Sequence, residues 1–181
     1  MNYNKPFSLL KKFPKKINNF YIKKSKNAFK VYNKSKNKKI YDPVSSLDKA
    51  FEKFIRHIIV KKFPKDAILG EEFLEKCSDN GYKWYIDPID GTKAFMVGAP
   101  TWSNLIGLTY KNQSVLGLAN FPALKKFYMN DRKKSYLISN TYDKLFYLKK
   151  DLFRQSILLI TNAISVKKNR KLIEFYKFKN N

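Results

Sequence analysis

The sequence is poor in the residues that most enzyme centres use. Among its 181 residues it has one cysteine, Cys77, and one histidine, His57. A single cysteine excludes an intramolecular disulfide and a thiolate metal cluster, and a single histidine excludes a multi-histidine zinc site. His57 is predicted to be a surface residue because it falls off the apolar stripe of its helix, and Ser-His-Asp and Cys-His catalysis are also set aside.

Long apolar runs are also missing. No run approaches the roughly 18 residues that a membrane span requires, and the lysine-rich N-terminus has no apolar core of the kind found in secretory signals. The sequence therefore predicts a cytoplasmic protein without a membrane partner. With 44% hydrophobic and 16% aromatic residues, the chain can still bury a core of ordinary domain size.

Acidic residues are few and unevenly placed. Fourteen aspartates and glutamates stand against 38 lysines and arginines, which gives a net charge of +24. Residues 1–41 hold thirteen lysines and no acid, whereas ten of the acids lie between Asp42 and Asp90. Such a charge makes a basic nucleic-acid-binding module an alternative function. Because the positive charge is nearly all lysine, no specific nucleic-acid partner is predicted.

One stretch, residues 84–92, has the composition of a site rather than of a core. Its apolar start is typical of a short buried strand, and Asp87 and Pro88 are predicted to end that strand because proline cannot donate to a ladder. Gly91 tolerates a positive φ, so the chain can turn and aim Asp87 and Asp90 at one point. The repulsion between two close carboxylates is relieved when one of them is protonated or when a cation such as Mg²⁺ or Mn²⁺ binds between them. The alternative interpretation is an Asp-Pro turn followed by an Asp-Gly turn, without a site.

A second apolar run ends in acids in the same way. Residues 67–69 are followed by Gly70, Glu71 and Glu72. Two strands that each deliver a carboxylate at their ends favour a shared cation site over two coincidental turns. Plain solvated acids remain the alternative interpretation of this segment.

Apolar spacing predicts two helices and a sheet. The first helix is predicted over residues 14–29, with Pro14 near its start, and the second begins with Ser45 or Ser46 as its N-cap. Strands are predicted over residues 103–110, 114–119, 124–129, 135–138 and 145–148, with a further apolar run over 156–161 and an exposed basic loop over 34–39. The economical architecture is an α+β fold, an antiparallel sheet packed with two helices.

Three motifs, in order and at fitting spacing, resemble the inositol monophosphatase family of metal-dependent, lithium-sensitive phosphatases. They are DPVSSLD at residues 42–48, GEE at 70–72 and WYIDPIDGTKAF at 84–95. The resemblance implies the N-terminal half of a layered αβαβα sugar-phosphatase fold. Residues 92–100, with the following strand, look closest to the branch that hydrolyses histidinol phosphate.

The resemblance also implies a cofactor and its ligands. Mg²⁺ would be held at one position by Glu71, Asp87 and the carbonyl of Ile89, and at a second by Asp87 and Asp90. Asp48 would belong to a weaker third-metal site, although an acid in the first turn of a helix also has a structural explanation.

Catalytic and substrate roles follow from the same resemblance. Gly91 and Thr92 would bind phosphate through their backbone, and Thr92, Glu71 and Asp90 would act in catalysis by a metal-activated water. The implied function is Mg²⁺-dependent hydrolysis of a small phosphomonoester of the histidinol phosphate or inositol phosphate class. A homodimer is left open as the assembly.

One departure from the family concerns the later part of the chain. The family has a tryptophan-aspartate motif in a second domain, and none of the acids after Asp90 follows a tryptophan. The domain prediction is therefore a basic segment over residues 1–12, an inositol-monophosphatase-like αβ domain over 13–165 and an atypical basic tail over 166–181, with the C-terminal domain missing. A truncated, inactive or complementation-dependent remnant is the alternative function.

Overall fold

A computed structural model of the chain describes residues 3–26, 30–33, 43–131, 134–139 and 146–148. The helices within these residues are α1 (Asn4–Lys24), α2 (Ser46–Lys62) and α3 (Thr92–Met96). The strands are β1 (Val31–Asn33), β2 (Pro43–Ser45), β3 (Ala67–Gly70), β4 (Tyr82–Asp90), β5 (Ser103–Tyr110), β6 (Gln113–Phe121), β7 (Lys126–Asn130), β8 (Ser135–Ser139) and β9 (Phe146–Leu148).

The strands form one large sheet and one small ribbon. Seven strands lie in the order β3-β4-β5-β6-β7-β8-β9, and β1 pairs with β2 in a separate antiparallel ribbon that the sequence patterns did not predict. Within the large sheet β3 runs parallel to β4, and all other neighbours are antiparallel. The α+β prediction is confirmed, with the refinement that β3 makes the sheet mixed.

Helix α2 begins where the sequence places it. Ser45 is its N-cap: the Ser45 hydroxyl accepts from the Leu47 N–H at 3.2 Å, and Asp48 accepts from the Ser45 N–H at 2.7 Å. This reciprocal arrangement is a capping box. The buried apolar residues of α2 are Leu47, Phe51, Ile55 and Ile59.

Helix α1 corrects the predicted start at Pro14. The helix begins at Asn4 and contains Pro14 in its interior. The missing N–H of Pro14 leaves the Leu10 carbonyl without its usual intrahelical donor. Leu10, Phe13 and Ile17 are all buried on one stripe, and their burial outweighs that loss. Helix α1 crosses the predicted domain boundary at residue 12, and it ends at Lys24, five residues before the predicted end at Phe29.

Strand β4 corrects the prediction that Asp87 and Pro88 end the strand, because it continues to Asp90. The last pair between β3 and β4 is Gly70 with Ile86, so at Pro88 the strand has only β5 as a neighbour. The β5 pairing is itself irregular between Asp87 and Asp90. A residue without an N–H is tolerated at such a place because no ladder bond requires it.

The remaining strands follow the predictions closely. Strands β5 and β6 are joined by Lys111 and Asn112, whose φ angles of 48° and 63° suit a two-residue hairpin. Strand β7 starts at Lys126, two residues later than predicted, because the Lys125 N–H donates to the Pro122 carbonyl in a turn. The edge strand β9 is confirmed. Predictions over residues 34–39, 156–161 and 166–181 lie outside the described residues.

Helices α1 and α2 pack against the sheet around a buried apolar core. Its largest fully buried side chains include Phe13 of α1, Phe51 of α2, and Trp84, Ile106 and Phe127 of the sheet. The core thereby fixes the carboxyl ends of β3 and β4 relative to the start of α2. No helix within the described ranges combines the length and the apolar character needed to cross a membrane.

Candidate active site

A one-residue irregularity in β4 brings two aspartates to the same face of the sheet. Asp87 pairs with Leu105 and Asp90 pairs with Ser103, so three steps along β4 match two steps along β5. Leu105 and Ser103 are two residues apart and therefore share a face. In a regular strand Asp87 and Asp90 would point to opposite faces. The extra residue in this bulge segment, residues 87–90, aligns their side chains.

Glu71 joins the two aspartates through the parallel pairing of β3 with β4. Gly70 is in register with Ile86, so the next residues, Glu71 just after β3 and Asp87 within β4, lie side by side. The Glu71 side chain interacts with Asp87 by charge and by a side-chain hydrogen bond. Its negative charge also raises the pKa of Asp90. Three carboxylates predicted from separate motifs therefore lie together.

Asp87 is held in an unfavourable environment for a charged carboxylate. It is 8% exposed, and its Oδ1 has no hydrogen-bond partner among the described residues. Burial raises the pKa of Asp87 to about 8, and the negative charges of Glu71, Asp90 and Asp48 add to the increase. A buried carboxylate oxygen without a donor is costly unless it gains a proton or a cation.

Asp90 lies at a more open position beside the same group. Removal of solvent by the surrounding protein raises its pKa, a hydrogen bond from Ser103 Oγ to Asp90 Oδ2 at 3.2 Å lowers it, and the charge of Glu71 raises it. The net direction is upward. As a whole residue Asp90 is exposed, so we expect a smaller effect here than at the buried Asp87.

Thr92 connects the bulge segment to the start of α2. Its hydroxyl lies 3.0 Å from the Ile89 carbonyl oxygen and 3.5 Å from Asp48 Oδ1. Asp48 is 1% exposed and accepts through Oδ2 from both the N–H and the hydroxyl of Ser45. Asp48 therefore caps α2 and also lies at the margin of the carboxylate group, and its role in a third-metal site stays a prediction.

Gly91 turns the chain from β4 into α3. Its φ of +81° lies in the left-handed region, which side chains other than glycine's rarely adopt. An aromatic cluster then fixes α3: the ring of Phe95 lies 5.0 Å from that of Trp102, which lies 5.2 Å from Tyr21 of α1. The backbone of Gly91 and Thr92 is thus held next to the aspartates.

The donor set fits a hard divalent cation. Carboxylate oxygens with a backbone carbonyl are the ligands that Mg²⁺ and Mn²⁺ prefer, and Asp87 offers a buried oxygen without a donor. In the part of the chain that the structure describes, no three His, Cys, Asp or Glu side chains form a ready-made metal cluster.

Other residues stand apart from this group or were missed by sequence reasoning. His57 is exposed on α2, as predicted. Ser103 and Asn104, which contact Asp90 and the Pro88 carbonyl, were not predicted. Neither was the buried Glu52 of α2. The available signal was the same in all three cases, a polar side chain at a position that the apolar pattern assigns to the interior.

Comparison with known proteins adds the family. The family model described as "Inositol monophosphatase family" matches residues 12–179. A histidinol-phosphatase of Chlorobaculum parvum is 46% identical over 90 residues, which cover 50% of this chain and 35% of that protein. An inositol-1-monophosphatase of Rhizobium meliloti is 34% identical over 92 residues, covering 50% and 35%.

A solved structure gives the fold. An IMPase/NADP phosphatase complexed with Mg²⁺ and phosphate superposes with a TM-score of 0.62 at 20% identity, covering 73% of this chain and 51% of that chain. The matched segments thus span about a third of the length of the two relatives by sequence and about half of the solved chain. On the match over residues 12–179, the chain belongs to the inositol monophosphatase family.

Proposed function

We propose that this chain contributes the metal and phosphate site of a Mg²⁺-dependent phosphomonoesterase. The observation that carries the proposal is the bulge segment, which aligns Asp87 and Asp90 on one face beside Glu71. Three carboxylates gathered in this way repel one another in the absence of a cation. A divalent cation between them would relieve that repulsion and would be available to an anionic substrate.

Each site residue has a proposed task. Glu71, Asp87 and the Ile89 carbonyl would hold one ion, and Asp87 with Asp90 would hold a second. Asp48 would contribute to a weaker third position. Bound Mg²⁺ supplies positive charge that neutralises the phosphate and makes a water molecule more acidic. The phosphomonoester bond can then be hydrolysed without a histidine.

The residues after the bulge orient the substrate. The backbone N–H groups of Gly91 and Thr92 would bind an anion at the start of α3, where the first turn of a helix lacks intrahelical acceptors. The Thr92 hydroxyl already lies within hydrogen-bond distance of the Ile89 carbonyl. Thr92 and Glu71 would position the attacking water. Asp90 would be the third catalytic residue beside them.

The proposed substrate is a small phosphomonoester of the histidinol phosphate or inositol phosphate class. The relatives named above, a histidinol-phosphatase and an inositol-1-monophosphatase, support this class. The higher identity is to the histidinol-phosphatase, so histidinol phosphate is the first substrate to test. A cytoplasmic location remains a prediction from the sequence.

Phosphate release tests the proposal directly. The chain is incubated with histidinol phosphate or inositol 1-phosphate, with Mg²⁺ or with a chelator. We expect Mg²⁺-dependent release, and Asp90→Asn should lower kcat/KM by at least about 100-fold, because metal charge contributes several kcal/mol to such reactions. Asp79→Asn, an exposed acid between β3 and β4, is the control and should leave the rate unchanged.

A second measurement separates an inactive chain from one without the site. The alternative is a chain that binds the ions but does not hydrolyse the substrate by itself. Mn²⁺ binding followed by electron paramagnetic resonance would detect such a chain without turnover. Absence of both Mn²⁺ binding and phosphate release would refute the proposal. Nucleic-acid binding that survives Asp87→Asn and Asp90→Asn would favour the basic binding module instead.

A further inference from the structure

Glu52 is a buried carboxylate on α2 that has no part in the proposed ligand set. Its side chain is 0% exposed. Burial of a carboxylate is costly unless charged or polar partners satisfy it. Glu52 Oε1 accepts from Arg56 Nε at 2.7 Å, and Oε2 accepts from the Glu72 backbone N–H at 2.6 Å. Glu52 therefore ties α2 to the segment that follows β3.

Gly70 makes room for this contact. A Cβ built on Gly70 would lie 2.0 Å from Glu52 Oε1 and 2.3 Å from Glu52 Cδ. No side chain fits at position 70 while the carboxylate stays where it is. The requirement for glycine here is one of space, because the φ angle of Gly70 is not positive.

Arg56 extends the contact by one more residue. Its Nη2 donates to the Phe73 carbonyl at 3.2 Å, and its guanidinium lies 5.9 Å from the centre of the Phe73 ring. The segment from Gly70 to Phe73 is thus fixed to α2 at Gly70, at the N–H of Glu72 and at the carbonyl of Phe73.

Glu71 lies inside the segment that is fixed in this way. The pairing of β3 with β4 ends at Gly70 and Ile86, so the ladder does not hold the backbone of Glu71. The contacts from Glu52 and Arg56 flank Glu71 on both sides. They restrict its backbone at the point where its side chain reaches Asp87.

We infer that Glu52, together with Arg56, is a positioning residue that sets the affinity of the site for a divalent cation by fixing the backbone of Glu71. The inference rests on the proposed function, because Glu71 matters here as a metal ligand. Groups that orient a ligand commonly change metal affinity by roughly 10–100-fold when they are removed. Glu52→Gln keeps the size of the side chain but replaces one acceptor with a donor, so Arg56 or the Glu72 N–H loses its partner.

A double-mutant cycle with Mn²⁺ tests the inference. The dissociation constant for Mn²⁺ is measured by electron paramagnetic resonance for the wild type, Glu52→Gln, Glu71→Gln and the double variant. We expect Glu52→Gln to weaken binding by about 10-fold or more. In the Glu71→Gln background the same substitution should have almost no further effect, because the residue through which Glu52 acts no longer ligates. Equal losses in both backgrounds would show a purely structural role and overturn the inference.

Asp66→Asn is the matched control. Asp66 is another buried carboxylate, and it accepts from Trp84 Nε1 at 2.8 Å and from Asn80 Nδ2 at 2.9 Å, with no hydrogen bond to the segment 70–73 among those described. Asp66→Asn should lower the thermal midpoint without changing the Mn²⁺ dissociation constant. If it weakened Mn²⁺ binding as much as Glu52→Gln does, general destabilisation would explain both effects and the inference would be overturned.

Two further outcomes separate the inference from the proposed function. A wild-type chain that does not bind Mn²⁺ would overturn both. A wild type that binds Mn²⁺, with Glu52→Gln equally tight, would overturn the inference alone. If Glu52→Gln does not fold by circular dichroism, Arg56→Lys replaces it in the same cycle, because lysine keeps the charge but loses the fork that reaches both Glu52 and Phe73.

Discussion

The side-chain amide of Asn104 donates a hydrogen bond to the backbone carbonyl of Pro88 across 2.6 Å. Pro88 lies in the bulge segment, where the ladder between β4 and β5 is interrupted. Asn104 is 0% exposed, and its own amide oxygen accepts from Asn120, which also donates to Asn18 of α1. A chain of three amides therefore links α1 to the strand irregularity that aligns the two aspartates.

Removal of the Asn104 amide should destabilise the fold. Asn104→Leu leaves the Pro88 carbonyl without its donor in a dry environment, which costs about 1–3 kcal/mol of unfolding free energy. Urea denaturation measures the loss. Asn130→Leu is the control, because the Asn130 Oδ1 is already buried without a partner among the described residues. We expect a smaller loss there, and equal losses would contradict the role given to the Asn104 amide.

Alanine substitution of two neighbouring serines, Ser45 and Ser46, tests which of them is the N-cap of α2. Ser45→Ala removes the buried side chain of the capping box and should cost about 0.5–2 kcal/mol. Ser46 is exposed and accepts only from the Lys30 N–H at 3.2 Å among the contacts described. Ser46→Ala should therefore cost less, as measured by the thermal midpoints of the two variants. The reverse order would place the cap at Ser46.

The raised pKa of Asp87 predicts how the metal-free chain responds to pH. Its pKa is about 8 in the folded chain and about 4 in an unfolded one. The folded chain thus holds this proton more tightly, so the associated stability is complete below about pH 4 and is lost as the pH rises through about 8. With a chelator present, the free energy of unfolding should fall across this window by at most about 1.4 kcal/mol per pH unit.

Asp87→Asn is the informative variant for that measurement. It removes the titrating group, so the fall in stability with rising pH should become shallower than in the wild type. Near pH 8 without metal the variant should be the more stable of the two, whereas Mg²⁺ should stabilise only the wild type. Urea denaturation at about pH 5 and about pH 8 provides the comparison. Parallel pH profiles for both proteins would contradict the environment assigned to Asp87.

Gly91 and Gly98 form a matched pair for the turn after β4. Both have positive φ angles, +81° and +73°, so alanine at either position should cost about 1–2 kcal/mol of stability. Only Gly91 lies next to the aspartates. We expect Gly91→Ala alone to weaken the binding of inorganic phosphate in the presence of Mn²⁺, measured by calorimetry. Equal affinities in the two variants would remove Gly91 from the phosphate site.

Much of the fold could be predicted from local patterns. The apolar stripe of α2 and its serine cap, the β5–β6 hairpin and the edge strand β9 all depend on neighbours in sequence, which is why spacing and turn residues were sufficient. Helix α1 was misjudged at Pro14 because the local penalty of proline was weighed without the burial of Leu10 and Ile17. That burial depends on α2 and the sheet, which spacing alone does not describe.

In the candidate site, too, one part could be predicted from the sequence and another depends on the tertiary structure. The sequence predicted which residues carry the proposed chemistry, since Glu71, Asp87 and Asp90 follow apolar strands and match family motifs in order. Only the tertiary structure decided how they meet. The parallel register of β3 with β4 sets Glu71 beside Asp87, and the extra residue in β4 rotates Asp90 onto the same face. Register and bulges depend on pairing with distant strands, and therefore no stretch of sequence contains them by itself.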